Sequence, residues 1–374
     1  MKKNLFTLLA LVCALALLAA CGAPASTPAA PTPAPVAGTT APDASPVGDV
    51  APVATGANIV IYTNAGSNGR QEWLTEKAAE VGFNITVVHI AGGDLTNRII
   101  AEKNNQVADM IFGLNAMEFE RLKGLDLLLP YTPTWVDEVD MNLGDSENGL
   151  FYPLVIQPLF MIHNAEALPV GEAPTSWEDL ATNEAFAKKY TITRLSSGTG
   201  QSLMAGVLVR YLDENGTYGV SDEGWALMKS LIQNGILIAS DQDDIQELVD
   251  NTYPISMTYG SRMIQKRVDY DFEAIEAIIP EYGVPYVVEQ AAIFNGTKNA
   301  AECEAFINWL GSAEIQAAWS EEFVTIPSNQ GAISAMPAEV ITMMEQATAQ
   351  DIDWGIVSEN IEKWMEKIEL EFVQ

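Results

Sequence analysis

The chain has 374 residues, enough for two ordinary domains. Its 19 Lys+Arg against 50 Asp+Glu give a formal net charge of −31, which repels phosphate backbones and excludes a nucleic-acid binder. Hydrophobic residues make up 48 %, which excludes global disorder, while three Cys and two His leave little for a disulfide scaffold or a Cys/His metal cage.

The first segment reads as an address. Lys2 and Lys3 precede an apolar run from Leu5 to Ala20, broken by Thr7. The run is short for a membrane span of about 20 residues. It ends in Leu18-Ala19-Ala20-Cys21-Gly22, which resembles the bacterial lipoprotein box. Residues 1–20 are therefore expected to be a signal peptide, with Cys21 acylated and inserted in the bilayer. Cleavage would leave Cys303 as the one free thiol, on a helical pattern that reads as buried and inert. Residues 21–57 carry eight Pro between Pro24 and Pro52 among Ala, Thr, Gly and Ser. Such a segment cannot offset its ordering entropy and reads as a disordered, extended spacer.

The body begins near Asn58. Asn58–Thr63 is an apolar, β-branched strand that ends in loop residues 64–69. Arg70–Val81 follows with Trp73, Leu74, Lys77 and Ala78 at helical spacing, closed by Gly82. A strand at 83–90, a helix from Gly92, a strand at 108–112 and a helix reaching Leu128 complete a βαβαβ order, which argues for a parallel sheet covered by helices. Ligands of open sheets sit beyond the carboxyl ends of the strands, so loops 63–69, 91–94 and 113–116 are the interesting ones. Tyr152–His163 reads as strands that cross between lobes. Ser176 is a helix N-cap before Trp177, Glu178 and Asp179. A strand at 190–195, a loop at 196–200 and a helix at 201–212 follow. Strands at 236–239, 253–258 and 289–294, an amphipathic helix at 300–310 and two closing helices end the chain.

These pieces resemble the extracellular solute-binding proteins of ABC importers, in the group of ferric-iron, thiamine and phosphonate binders. The likeness rests on Ile59–Thr63 and on Gly92–Leu95 with Arg98–Lys103. It extends to Ala108–Gly113, Pro174–Leu180 and Ala292–Asn299, followed by Phe306, Leu310, Ser312 and Gln316. The resemblance implies an α/β fold of two lobes, each a mixed, mostly parallel sheet flanked by helices, joined by a hinge as in type II periplasmic binding proteins. Residues 58–158 and 288–335 would form lobe 1, 159–287 lobe 2, and 336–374 the C-terminal helices. It further implies a monomer without cofactor, held at the outer face of the cell membrane, that hands a small-molecule solute to an ABC permease.

Several residues fit such a ligand. Ser196–Gly200 places small hydroxyls and glycines before a helix, where free N–H groups suit an anion, so Ser197, Gly198 and Thr199 are candidates. Thr63, Asn64, Gly66 and Ser67 occupy the first strand–helix loop, and Asn115 and Ala116 the third. Tyr259 and Arg262 follow a strand, and a guanidinium fork fits a carboxylate or phosphonate. Arg70 and Arg194 are weaker candidates of the same kind. A small anionic or zwitterionic solute, phosphonate- or organophosphate-like, is the favoured ligand. Ferric iron is the alternative, held by Tyr253, Tyr259 and His89, although the adjacent tyrosine pair frequent among ferric binders of this group is missing. Polyamine, thiamine or a sensor role stand behind these. Asp241, Asp243 and Asp244 lack the spacing of a calcium hand and read as a solvated loop. No Gly-x-Ser-x-Gly elbow, His-Glu-x-x-His helix or Cys–His arrangement points to an enzyme.

Overall fold

The computed structural model describes residues 56–239 and 242–373. The expected signal peptide, Cys21, the spacer through residue 55 and Asp241 lie outside the described residues. Among the described residues no helix is long and apolar enough to cross a membrane.

The chain opens with β1 (Asn58–Thr63), α1 (Arg70–Glu80), β2 (Asn84–His89), α2 (Gly92–Ala101), β3 (Met110–Phe112) and α3 (Ala116–Gly124). β1 lies parallel to β2 on one side and to β3 on the other. Its side chains alternate as a strand dictates. Ile59 and Ile61 enter one apolar layer with Phe112, Phe306 and Trp319. Tyr62 enters the opposite layer with Leu95, Ile99 and Phe119. Both faces of the sheet are therefore covered, as a parallel sheet requires. β4 (Leu128–Leu129) pairs with a later strand, so the helix does not reach Leu128 as expected.

β5 (Tyr152–Asn164) is one strand of 13 residues, not several. It pairs antiparallel with β11 (Tyr286–Phe294) from Tyr152 to Pro158, and with β9 (Ile255–Tyr259) from Leu159 to His163. Between β5 and β9 the chain forms α4 (Trp177–Thr182), β6 (Thr191–Ile192), α5 (Gly198–Leu208), β7 (Leu212–Thr217), α6 (Asp222–Asn234), β8 (Ile236–Leu237) and α7 (Asp244–Val249). α8 (Gly260–Asp269) and β10 (Ile275–Ile278) then lead back to β11. Ser176 caps α4 by accepting a hydrogen bond from Asp179 N at 3.1 Å. The α5 helix starts three residues earlier than the composition suggests, because Ser197 caps it by accepting from Gly200 N at 3.0 Å. Parallel pairing joins β1 to β2 and β3, and β6 to β8. The ladders made by the crossing strands β5 and β11 are antiparallel, so parallel pairing does not predominate throughout.

Three helices, not two, follow α9 (Ala300–Leu310): α10 (Ala313–Phe323), α11 (Ala338–Gln346) and α12 (Trp354–Lys367). The short β12 (Ile326–Pro327) pairs with β5. α12 touches both lobes. Ser358 Oγ donates to Met117 O of α3 at 3.0 Å, and Glu362 pairs with Arg121 at 2.6 Å. On the other side Val357, Ile361, Trp364 and Met365 sink into the core that holds Leu203, Met228 and Met257.

Candidate functional site

Five helices aim their N-termini at one cleft between the lobes. Arg70 opens α1 and Gly92 opens α2. Asn115 caps α3, Ser197 caps α5 and Tyr259 precedes α8. All five residues line the same cavity of about 240 Å³. That is roughly eight waters' share of liquid volume, which suits a small solute. Each terminus carries a fraction of positive charge, although at α1 Arg70 N and Gln71 N already donate to Ser67 O and Gly66 O. Together with the Arg70 guanidinium in the lining, these termini favour an anion in the cleft of an otherwise acidic chain.

Glycines let the loops approach. A β-carbon on Gly200 would lie 2.2 Å from Arg194 O, so only glycine lets the loop before α5 fold back on itself. Gly113 has φ +108°, and a β-carbon there would meet Ala65 Cβ at 2.7 Å.

Asn64, Ser67, Asn115, Ser197, Gly198, Thr199 and Tyr259 come together in the cleft as the sequence suggests. Thr63 instead shapes the first loop. It is buried, and its Oγ1 accepts from Ala65 N at 2.9 Å. Gly66 N donates to His89 Nδ1 at 3.1 Å, which orients that ring at the cleft edge. Ala116 faces a different cavity, with Phe151 and Tyr286. Arg262 lines an adjoining cavity shared with Thr199 and Tyr259, but its guanidinium is already committed. Its Nη2 donates to Asp243 Oδ1 at 3.0 Å and to Asp244 Oδ1 at 2.8 Å. Asp243 and Asp244 are thus not a solvated loop. Burial alone would push the Asp243 carboxyl up; the Tyr270 hydroxyl and Arg262 outweigh it and hold it below the usual carboxylate range. Asp244 is buried and also accepts from Ser256 Oγ at 2.9 Å.

Of the three residues expected for iron, Tyr259 and His89 line the cleft and Tyr253 does not. Tyr259 ends β9, whereas Tyr253 precedes its first residue. The strand alone, Ile255–Tyr259, spans roughly 13 Å. Tyr253 lies before that strand and away from the cleft that Tyr259 lines. Among the described residues no three His, Cys, Asp or Glu cluster closely enough to hold a metal. His163 is buried, with Nδ1 bonded to Leu168 O at 2.8 Å. Cys303 is buried too, and burial pushes its thiol well up.

Three polar residues of the cleft escaped the sequence reading in part or whole: Arg70, Gln157 and Glu289. Arg70 is only 6 % exposed. Its guanidinium lies over the rings of Trp319 and Phe323, at 6.0 and 5.5 Å from their centroids. Nη2 donates to Ser261 Oγ of α8 at 3.2 Å, across to the other lobe, while Nε is buried with no partner. Gln157 of β5 holds Ser261 from the hinge, donating to its Oγ at 3.0 Å. A second bridge runs from Asn115 Nδ2 to Ser202 Oγ at 3.4 Å. The lobes thus already meet across the cleft. The signal for Gln157 and Glu289 was an amide or acid inside an otherwise apolar strand.

Comparison with known proteins agrees with this architecture. Residues 73–348 match the family described as bacterial extracellular solute-binding protein. The chain is 31 % identical over 316 residues to a Sinorhizobium fredii protein named "Probable ABC transporter periplasmic-binding protein y4fP", covering 84 % of this chain and 87 % of that one. In fold it is similar to a ferric binding protein from Campylobacter jejuni, with TM-score 0.72 and 17 % identity over 84 % of this chain and 99 % of that one. It is similar also to AfuA from Actinobacillus pleuropneumoniae with fructose-6-phosphate bound, with TM-score 0.70 and 18 % identity over 84 % and 99 %. The chain belongs to the bacterial extracellular solute-binding proteins.

Proposed function

We propose that this chain is the solute-capturing component of an ABC importer, and that its ligand is a small phosphonate or phosphate ester. The importer role is supported by the name of the Sinorhizobium relative. The ligand class rests on one observation: five helix N-termini converge with a buried arginine whose Nε has no partner in the protein. A multivalent oxyanion is the group that such donors satisfy best. Hinge motion about β5 and β11 would open the cleft, and the closed form would dock on a membrane permease. On this reading Cys21 is acylated and the spacer holds a monomeric body outside the membrane. No catalysis is involved.

Ferric iron is the second reading, because the Campylobacter neighbour is a ferric binding protein. The cleft here offers one tyrosine, one histidine and one glutamate, and the missing second tyrosine weighs against it.

Thermal melting against a ligand panel tests the proposal. The panel holds 2-aminoethylphosphonate, glycerol phosphates, ferric citrate, thiamine and spermidine. A ligand at about 100 times its dissociation constant adds about 2.7 kcal/mol. A clear upward shift is expected with a phosphorus compound. A shift with ferric citrate or spermidine alone would contradict the proposal, and silence throughout would favour a sensor of another ligand.

A further inference from the structure

The anion cleft contains an acid. Glu289 lies on β11 and lines the cavity, beside the point where the β5–β11 register slips by one residue between Glu289 and Gln290. Such irregularities re-aim side chains next to sites. Its Oε2 is buried with no hydrogen-bond partner, and so is Arg70 Nε on the same wall. The two opposite charges therefore do not satisfy each other through these atoms. Burial pushes the Glu289 carboxyl above its ordinary value; Arg70 and a hydrogen bond from Gln157 offset this only in part.

A carboxylate in this place is costly twice over. It is desolvated without full pairing, and it repels the anion that the helix termini attract. Glutamine would serve a purely anionic ligand better, with the same shape and no repulsion. An acid left in such a site points to a positive group on the ligand, and it turns away partners that lack one. Resting on the reading of the cleft as an anion site, we infer that Glu289 is a specificity residue for an ammonium group carried close to the anionic group. The ligand class is then an aminoalkyl phosphonate or aminoalkyl phosphate ester. The N–H groups and Arg70 take the phosphorus oxygens, and Glu289 Oε2 accepts from the ammonium. Inorganic phosphate and plain alkyl phosphonates are discriminated against.

Calorimetric titration of the full-length chain with a matched pair tests this. The pair is 2-aminoethylphosphonate and ethylphosphonate, which differ by the amino group alone. The wild-type protein is expected to prefer the amino compound by about tenfold or more, the scale of a desolvated charge contact. Glu289→Gln is expected to lose that preference, weakening the amino compound while holding or gaining ethylphosphonate. Equal wild-type affinity for the pair would overturn the role of Glu289 and leave the anion reading standing. An equal change of both affinities in Glu289→Gln would do the same. Binding of neither compound would overturn both. The wild-type comparison decides the matter even if the variant fails to fold.

Discussion

Replacing Arg70 by Met is expected to weaken phosphonate binding by about 30-fold to more than a thousandfold, since truncating one side of a buried, charge-assisted contact costs about 2–5 kcal/mol. The range is wide because the loss depends on how many phosphorus oxygens the guanidinium serves. The residue is placed for such a role. It begins α1, is almost wholly buried, and reaches across the cleft to Ser261. Its cationic plane is packed by Trp319 and Phe323, which keep water away and fix its direction. Methionine keeps an apolar stem against those rings, so the variant is expected to remain folded and to melt cooperatively. Calorimetry with 2-aminoethylphosphonate, with circular dichroism as the check on folding, measures the effect. A folded variant within threefold of wild-type affinity would remove Arg70 from the site.

Trp319→Ala is expected to cost about 3–5 kcal/mol of stability, the usual range for deleting a large buried aromatic. Trp319 is 1 % exposed and stands at the centre of an aromatic cluster. Its ring meets Trp73 edge-on at 5.3 Å, Phe112 at 5.7 Å and Phe323 at 4.6 Å. Removing it leaves a cavity under the sheet of lobe 1 and frees one side of Arg70. The same change should therefore also weaken the ligand, even where the protein is fully folded. Urea unfolding gives the stability, and titration at low urea gives the affinity. A loss below about 1 kcal/mol would mean that the cluster is looser than these contacts imply.

What the sequence could reveal depended on whether a segment's surroundings were local. β1, α1 and α2 were legible because their apolar periods match the layers they enter, as with Ile59, Ile61, Leu74, Leu95 and Ile99. The loops after β1 and β3 were legible because parallel sheets put ligands beyond those strand ends. β7 was not. Leu212–Thr217 is largely exposed and its strand pairing is limited to isolated bridges with Val220, so its sequence carries no buried face. β5 looked like several strands because it changes partner at Leu159, a fact that no local pattern records.

The site divides in the same way. Ser197, Gly198 and Thr199 announce themselves by loop chemistry. Gln157 and Glu289 sit on strands that read as core, and become cleft wall only because β5 and β11 cross between the lobes. Arg262 looked free in sequence. The fold places α7 against it and engages it with Asp243 and Asp244. Arg70 was a weaker anion-binding candidate in sequence, and tertiary packing buries it at the cleft.

The central claim is that this cleft closes on a small phosphorus anion. The most direct measurement is a calorimetric titration of the protein with 2-aminoethylphosphonate, in the absence and in the presence of ferric citrate. Saturation of a single site, unchanged by ferric citrate, is the predicted result. Saturation by ferric citrate, with no heat from the phosphonate, would contradict the account.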